Sequence, residues 1–243
     1  MTRSRVRLAA LALCAMGVGV GALVAIPAEA VNTRTFTLDS AADLSAGALD
    51  RVSVTGDGTV VLGAETERLT APETVGSVWS LLEMGDGSVL AGTGVDGRVY
   101  RIQGRDVTLY AETGAVVVTS LTRAEDGSVY AGTLPDAKLF RLNAPQGGRV
   151  QAPTLVATLP GAQHIWAVQW DRARRVVLCA TGPEGKLFAV DPAVTGRENF
   201  TVLYDADEPH LYAMALGRDG EVVLAPAAAT RWCTACAARG ARG

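Results

Sequence analysis

The stretch from Val78 to Ile102 reads VWSLLEMGDGSVLAGTGVDGRVYRI, and the stretch from Val118 to Leu142 reads VTSLTRAEDGSVYAGTLPDAKLFRL. The two match at 12 of 25 positions without a gap. Ile165 to Val190 repeats the pattern with one insertion, and Leu211 to Ala225 repeats its first half. These four starts are 40, 47 and 46 residues apart. Internal repetition at this period is typical of solenoids and propellers.

Each repeat contains short β-rich runs separated by turn residues. Asp86-Gly87 and Asp126-Gly127 predict hairpins between the first and second runs, in turns whose two central residues both have positive φ. A fourth β-rich run follows the three quoted above in each repeat: Val107–Glu112, Thr154–Leu159 and Phe200–Tyr204.

Four strands in about 40–45 residues correspond to one blade of a β-propeller. The sequence therefore predicts an all-β fold, a propeller of four-stranded antiparallel blades, with about three full blades plus partial blades. A β-sandwich is the structural alternative, but it does not require such regular internal identity.

The repeats resemble those of bacterial secreted β-propeller proteins with a DGxVxAGTxxxGxVYRI unit, which are similar in pattern to sensor-type and WD-repeat-like propellers. The resemblance covers about Val75 to Ala225. It implies the fold, and it leaves the function open because such propellers serve binding, sensing and catalysis alike.

The N-terminus has the pattern of a bacterial export signal. Arg3, Arg5 and Arg7 precede an apolar run over Leu8–Ile26, and Ala28-Glu29-Ala30 fits the small-x-small cleavage site. We predict a signal peptide over residues 1–30 and a secreted or periplasmic mature protein. The alternative is an uncleaved membrane anchor.

Between the signal and the clear repeats, residues 31–70 form a weaker match. Val52–Val54 and Thr59–Leu62 flank Asp57-Gly58 and resemble the first two strands of a blade, and Phe36–Leu38 is a candidate further strand. This segment is either a partial first blade or closing strands for the last one. The propeller repeats themselves are assigned to residues 71–225.

The last 18 residues, 226–243, read as an irregular tail rich in Ala, Arg and Gly. A shifted reading frame of the same codons can encode the missing half of the fourth blade, so we expect that this tail is out of frame and the ring truncated. The pair Cys233-x-x-Cys236 would otherwise suggest a redox or metal motif, but no second such pair accompanies it.

The formal net charge is −3. Binding to nucleic acid through an overall basic field is therefore not expected, and neither is a membrane partner after signal cleavage. The expected partner is an unidentified protein or small-molecule ligand. The sequence contains no phosphate-binding loop, dinucleotide fingerprint or nucleophile elbow, so no catalytic residue and no firm metal ligand is assigned.

His164 and His210 are the only two histidines, and each is predicted to precede the first strand of its repeat directly. Being 46 residues apart, they hold equivalent places on adjacent blades. Paired imidazoles at a channel mouth are candidate ligand-binding groups or general bases. The alternative is that they only pack against neighbouring blades.

Asp96, Asp136 and Glu184 align three residues after a threonine in each repeat. A ring of such carboxylates could hold calcium as a cofactor, or a cationic ligand. The alternative is that they begin tight turns.

The favoured function is an exported non-catalytic propeller that serves as a binding or interaction module. One alternative is a calcium-dependent propeller hydrolase, lactonase or lyase, since such enzymes resemble this fold. The other is a truncated gene product without function.

Overall fold

The computed structural model describes residues 37–227 apart from 39, 65, 73, 74, 197, 198, 218 and 219. The chain divides into two compact units, Met1–Glu67 and Arg68–Gly243. The predicted signal peptide and the tail after Ala227 lie outside the described residues. Within the described part of the chain, no helix is long and apolar enough to cross a membrane.

In the first unit a short helix precedes a hairpin. Helix α1 (Ala41–Ser45) begins after Ser40, whose hydroxyl accepts a hydrogen bond from the Asp43 backbone N–H at 3.2 Å. Strands β1 (Val52–Val54) and β2 (Val60–Leu62) then pair antiparallel, as the sequence predicts. Residues 37 and 38 belong to no strand, so the candidate strand at Phe36–Leu38 is not formed by its described residues.

The described residues of the second unit form three four-stranded antiparallel sheets and one two-stranded sheet, in each of which strands adjacent in sequence are paired. The first sheet consists of β3 (Ser77–Glu83), β4 (Val89–Gly94), β5 (Arg98–Gln103) and β6 (Asp106–Glu112). The second consists of β7 (Val117–Arg123), β8 (Val129–Leu134), β9 (Lys138–Leu142) and β10 (Thr154–Thr158). The third consists of β11 (Ala162–Asp171), β12 (Val176–Pro183), β13 (Lys186–Val190) and β14 (Phe200–Asp205). The fourth consists of β15 (Leu211–Leu216) and β16 (Val222–Pro226).

In the first and second sheets, the hairpin between the first two strands differs from the predicted turn. Only Gly87 has a positive φ, of 79°, whereas Asp86 does not. The Gly87 N–H donates to the Met84 carbonyl at 3.0 Å, and the Met84 N–H donates to the Ser88 carbonyl at 2.8 Å. This is a three-residue loop with glycine in the left-handed position. The prediction of two positive-φ residues was therefore wrong, although the hairpin itself is confirmed.

Aspartate is favoured in this loop because its side chain caps the turn. The Asp86 carboxylate accepts hydrogen bonds from the Ser88 backbone N–H at 3.0 Å and from the Ser88 hydroxyl at 2.6 Å. These bonds lower the pKa of Asp86 below its ordinary value. The second sheet repeats the arrangement with Asp126 and Ser128.

The threonine that closes each second strand has a structural role. Thr93, Thr133 and Thr181 are buried, and each hydroxyl donates to the carbonyl oxygen five residues later at 2.8–2.9 Å. The bond spans the turn into the third strand. It satisfies polar groups that the packing has removed from water.

Three apolar clusters join each sheet to the next. Cys179 lies in one of these clusters and is fully buried. It occupies the position of Ala91 and Ala131 in the first and second sheets, where a small residue fits the core. Burial raises the pKa of its thiol.

Candidate functional site

Four rings from the third and fourth sheets form one cluster near the N-terminal ends of β11 and β15, the first strands of those sheets. We call His164, Trp166, His210 and Tyr212 the imidazole–aromatic cluster. The two imidazole centroids are 5.9 Å apart, and Trp166 lies 4.9 Å from His164 and 5.1 Å from Tyr212. The rings of His210 and Tyr212 are stacked at 5.5 Å with an angle of 9°. The structure thus brings the two predicted histidines together.

The two histidines enter the cluster from different backbone positions. His210 directly precedes β15, as predicted. His164 lies inside β11, where its register partner is Gly182, so the prediction that it precedes the strand was wrong. Strand β11 begins earlier because its pairing with β12 continues through an irregularity between Ala162 and His164.

One hydrogen bond orients the cluster. The Trp166 indole N–H donates to Nδ1 of His210 at 3.1 Å. Nδ1 of His164 is buried and has no hydrogen-bond partner among the described residues. Burial lowers the pKa of His164, and the neighbouring His210 lowers it further. His164 is therefore a neutral imidazole at neutral pH.

The rings of the cluster pack against the backbone at Gly182. A Cβ atom at this position would lie inside van der Waals distance of the His210 ring and 2.9 Å from Trp166 Nε1. The missing side chain lets both rings lie against the β12 backbone. The first sheet repeats this device, because a Cβ at Gly94 would lie 2.7 Å from Trp79 Nε1.

The first sheet lacks the histidines, and its tryptophan is bonded differently. Trp79 Nε1 donates to the hydroxyl of Ser77 at 3.0 Å, and Trp79 is 52% exposed. Trp166 and Trp79 hold equivalent positions, so the first sheet offers a matched control for the cluster.

The predicted carboxylates are not brought together into a metal site. Each forms an ion pair with the basic residue two positions later: Asp96 with Arg98 (3.0 Å), Asp136 with Lys138 (3.2 Å) and Glu184 with Lys186 (2.6 Å). Among the described residues, no group of three His, Cys, Asp or Glu side chains could hold a metal ion. Each of these carboxylates therefore has a cationic partner two positions later in the sequence.

The loop before β15 adds negative charge next to the cluster. Asp207 and Glu208 directly precede Pro209 and His210. This loop lies so close to the turn after β12 that a Cβ on Gly185 would overlap the Glu208 carbonyl oxygen. Two acidic residues thus lie within three positions of His210 in the sequence.

Sequence reasoning found the two histidines and missed their aromatic partners. Trp166 and Tyr212 are not among the candidate residues that the sequence analysis assigns. The available signal was that each lies two positions after one of the two histidines, His164 or His210. Side chains two apart on a strand share a face.

The chain was compared with known proteins. It is similar in structure to a virginiamycin B lyase from Staphylococcus aureus, with a TM-score of 0.52 and 14% identity over 72% of this chain and 55% of the lyase chain. A gluconolactonase from Xanthomonas campestris gives a TM-score of 0.52 and 14% identity, over 72% of this chain and 61% of that chain. The fold is a β-propeller.

At these identities the likeness shows the propeller fold alone. The chain spans 55–61% of the length of these two solved structures. No protein-family model matches the propeller chain, and no curated protein does either.

The propeller should lose stability in mild acid partly through His164. Its ordinary pKa is 6.5, and the folded state holds it lower. As the pH is lowered through 6.5, His164 is protonated in the unfolded chain before it is protonated in the folded protein. The free energy of unfolding therefore decreases as the pH falls, until the pH is below the pKa of the folded state. We expect His164→Gln to reduce the decrease in melting temperature between pH 7.5 and pH 5 by about 1–3 °C. Calorimetry of both proteins measures this, and identical pH profiles would contradict it.

Proposed function

We propose that this chain is an exported propeller module that binds a ligand on the imidazole–aromatic cluster, and that the recognised group is a cation. One observation carries the proposal: four rings from two neighbouring sheets meet at the strand entries, with Tyr212 48% exposed. The basic N-terminus, apolar run and A-x-A site support export.

The cationic preference follows from the ring faces and the local charge. Trp and Tyr faces attract cations through their quadrupoles. Asp207 and Glu208 lie within three residues of His210 in the sequence, and the chain as a whole carries a net charge of −3. His164 stays uncharged at neutral pH and does not repel a cation. The negative net charge and the ring faces would repel an anionic ligand.

The experiment is a titration of the full-length chain with tetramethylammonium, with sodium as the ionic-strength control. The indole N–H signals of ¹⁵N-labelled protein report on each tryptophan separately. We expect the Trp166 signal to shift with a saturable, millimolar profile. We expect Tyr212→Ala to weaken binding by about 5-fold, which corresponds to an exposed cation–π contact.

The matched control is the equivalent site on the first sheet. Trp79→Phe should leave the Trp166 titration unchanged, because Trp79 bonds Ser77 and has no imidazole beside it. A Trp166 signal that responds equally to sodium, or that is insensitive to Tyr212→Ala, would contradict the proposal.

A second candidate function is a propeller enzyme of the hydrolase or lyase type, with calcium as its possible cofactor. The observation that favours it is the unpartnered, neutral Nδ1 of His164, which could accept a proton. Calcium-dependent hydrolysis of gluconolactone that is lost in His164→Gln would support this function over simple binding.

A further inference from the structure

A cavity lies between the second and third sheets, at the opposite end of β11 from the imidazole–aromatic cluster. Its volume is about 500 Å³, a size typical of small-molecule pockets. Its lining residues come from the β7–β8 hairpin, the β11–β12 hairpin and the segment after β13. Trp170 lines the cavity and follows His164 on the same strand, at a separation of about 20 Å. The cavity is therefore distinct from the candidate site described above.

Two aromatic rings form the apolar part of the cavity. Tyr130 of the second sheet and Trp170 of the third are stacked, with ring centroids 6.1 Å apart and an angle of 4° between the ring planes. Tyr130 is buried, whereas Trp170 is partly exposed. A flat apolar group on a ligand can therefore pack against Trp170, whose own position is fixed by the ring behind it.

Arg141, which also lines the cavity, departs from the pattern of its repeat. In the first sheet the equivalent Arg101 forms an ion pair with Asp86 at 2.5 Å and donates a hydrogen bond to the Ser88 hydroxyl at 3.0 Å. The second sheet has the same aspartate and serine, but no described residue forms a hydrogen bond or ion pair with Arg141. Its guanidinium keeps five N–H donors that a ligand can use.

Arg175 is a second exception among the repeats. The hairpins of the first and second sheets have glycine at their positive-φ position, with φ of 79° at Gly87 and 85° at Gly127. In the β11–β12 hairpin the positive-φ residue is Arg175, at 56°, in a conformation that is unfavourable for any residue with a Cβ. Arg175 lines the cavity, and no hydrogen bond or ion pair joins it to another described residue. The turn thus holds a second unbonded cation where glycine would fit better.

Two carboxylates that line the cavity are engaged within their own turns. Asp126 accepts hydrogen bonds from the backbone N–H of Ser128 at 2.9 Å and from its hydroxyl at 3.0 Å. These bonds lower the pKa of Asp126, and the charge of Arg141 lowers it further. Asp191 accepts a hydrogen bond from the Ala193 backbone N–H at 2.9 Å. Both carboxylates therefore have donors from their own turns.

Two ion pairs account for further charges around the cavity. Arg172 pairs with Glu125, which joins the hairpins of the third and second sheets, and Arg174 pairs with Asp171 within the third sheet. The acceptors near the cavity are thus largely used. The unused bonding capacity lies in the donors of the two exceptional arginines.

We propose that this cavity binds a small molecule with a carboxylate group, held by Arg141 and Arg175, and with a flat apolar part packed against Trp170. A guanidinium matches a carboxylate because two parallel N–H···O bonds can form between them. The site is independent of the proposed cation site, since about 20 Å is more than twice the screening length of about 8 Å at physiological ionic strength.

A benzoate titration of the full-length chain tests the proposal, with benzamide as the uncharged analogue of similar shape. The indole N–H signal of Trp170 in ¹⁵N-labelled protein reports on the cavity, and the signal of Trp79 is the internal control. We expect a saturable, millimolar profile at Trp170 for benzoate and at least about 10-fold weaker binding of benzamide. Inorganic phosphate should also bind more weakly than benzoate, because it has no apolar part.

Two variants test the arginines. Arg141→Gln and Arg175→Gly should each weaken benzoate binding about 10-fold, the effect of losing a hydrogen bond to a charged group. Glycine tolerates the positive φ at position 175, so Arg175→Gly removes the guanidinium without straining the turn. The matched control is Arg101→Gln in the first sheet, which should leave benzoate affinity unchanged. Tyr212→Ala should leave it unchanged as well, because Tyr212 belongs to the other site.

Several results would overturn the proposal. They are a Trp170 signal that does not respond to millimolar benzoate, equal affinities for benzoate and benzamide, and phosphate binding as tight as benzoate binding. Unchanged benzoate affinity in both Arg141→Gln and Arg175→Gly would also overturn it. Circular dichroism checks that every variant has the fold of the unaltered chain.

Discussion

Replacing Phe188 with alanine is expected to lower the free energy of unfolding by about 3–5 kcal/mol, the range for a buried aromatic. Phe188 lies on β13 and is 1% exposed. Its ring contacts Phe200 edge-on at 5.7 Å, and it belongs to the cluster that joins the second and third sheets. The substitution removes the ring and leaves a cavity that strands held by hydrogen bonds on both sides cannot fill.

Urea unfolding followed by circular dichroism and tryptophan fluorescence measures the effect. Leu155→Ala is the control, because Leu155 is 51% exposed on an outer strand and its loss should change stability by less than about 0.5 kcal/mol. Equal losses in the two variants would contradict the packing described for Phe188.

The regular part of this fold is readable from its sequence because each repeat obeys the same local rules. Alternating β-rich runs and Asp-Gly turns place the strands, and the observed bounds of β6, Asp106–Glu112, differ little from the predicted Val107–Glu112. The hairpin prediction was right in place and wrong in turn type. Asp86 is selected for its bonds to Ser88 and not for a positive φ.

The candidate site was less predictable because it depends on contacts between sheets. His164 and His210 are identified by rarity and spacing, and the cluster confirms that they are neighbours. Their partners Trp166 and Tyr212 look like ordinary strand residues until two sheets are placed side by side. Conversely, the carboxylates align in sequence but each bonds a local cation, which alignment alone does not show.

Differences between equivalent positions are therefore the most informative feature of this chain. A residue that is buried in the second and third sheets and exposed in the first, as with Leu121, Val168 and Leu81, shows where the packing of the repeats differs. A tryptophan that bonds serine in one sheet and histidine in another identifies a specialised site. Because the repeats share the same strand pattern, a position that differs between equivalent strands can be recognised as specific to one sheet.

Replacing Gly185 with alanine should both destabilise the protein and displace the candidate site. Gly185 has a φ of 56°, and its carbonyl accepts a hydrogen bond from the Ala206 N–H at 3.1 Å. An added Cβ would overlap the carbonyl oxygen of Glu208. Since that atom is backbone, the loop from 206 to 210 must move, and His210 moves with it.

Gly104→Ala separates backbone strain from this steric clash. Gly104 has a φ of 58°, and no atom lies within 4 Å of a Cβ built there. We expect Gly104→Ala to cost about 1–2 kcal/mol from the left-handed conformation alone. Gly185→Ala should cost about 1–3 kcal/mol more, as overpacking does.

The two variants should also differ at the cluster. Displacing His210 breaks the hydrogen bond from the Trp166 indole, so the Trp166 N–H signal should move in Gly185→Ala and stay in place in Gly104→Ala. Urea unfolding and ¹⁵N spectra of both variants measure the two effects. If Gly185→Ala and Gly104→Ala had the same unfolding free energy and the same Trp166 N–H signal, the described close approach of the 206–210 loop to the β12–β13 turn would be wrong. The positioning of His210 by that loop would then be wrong as well.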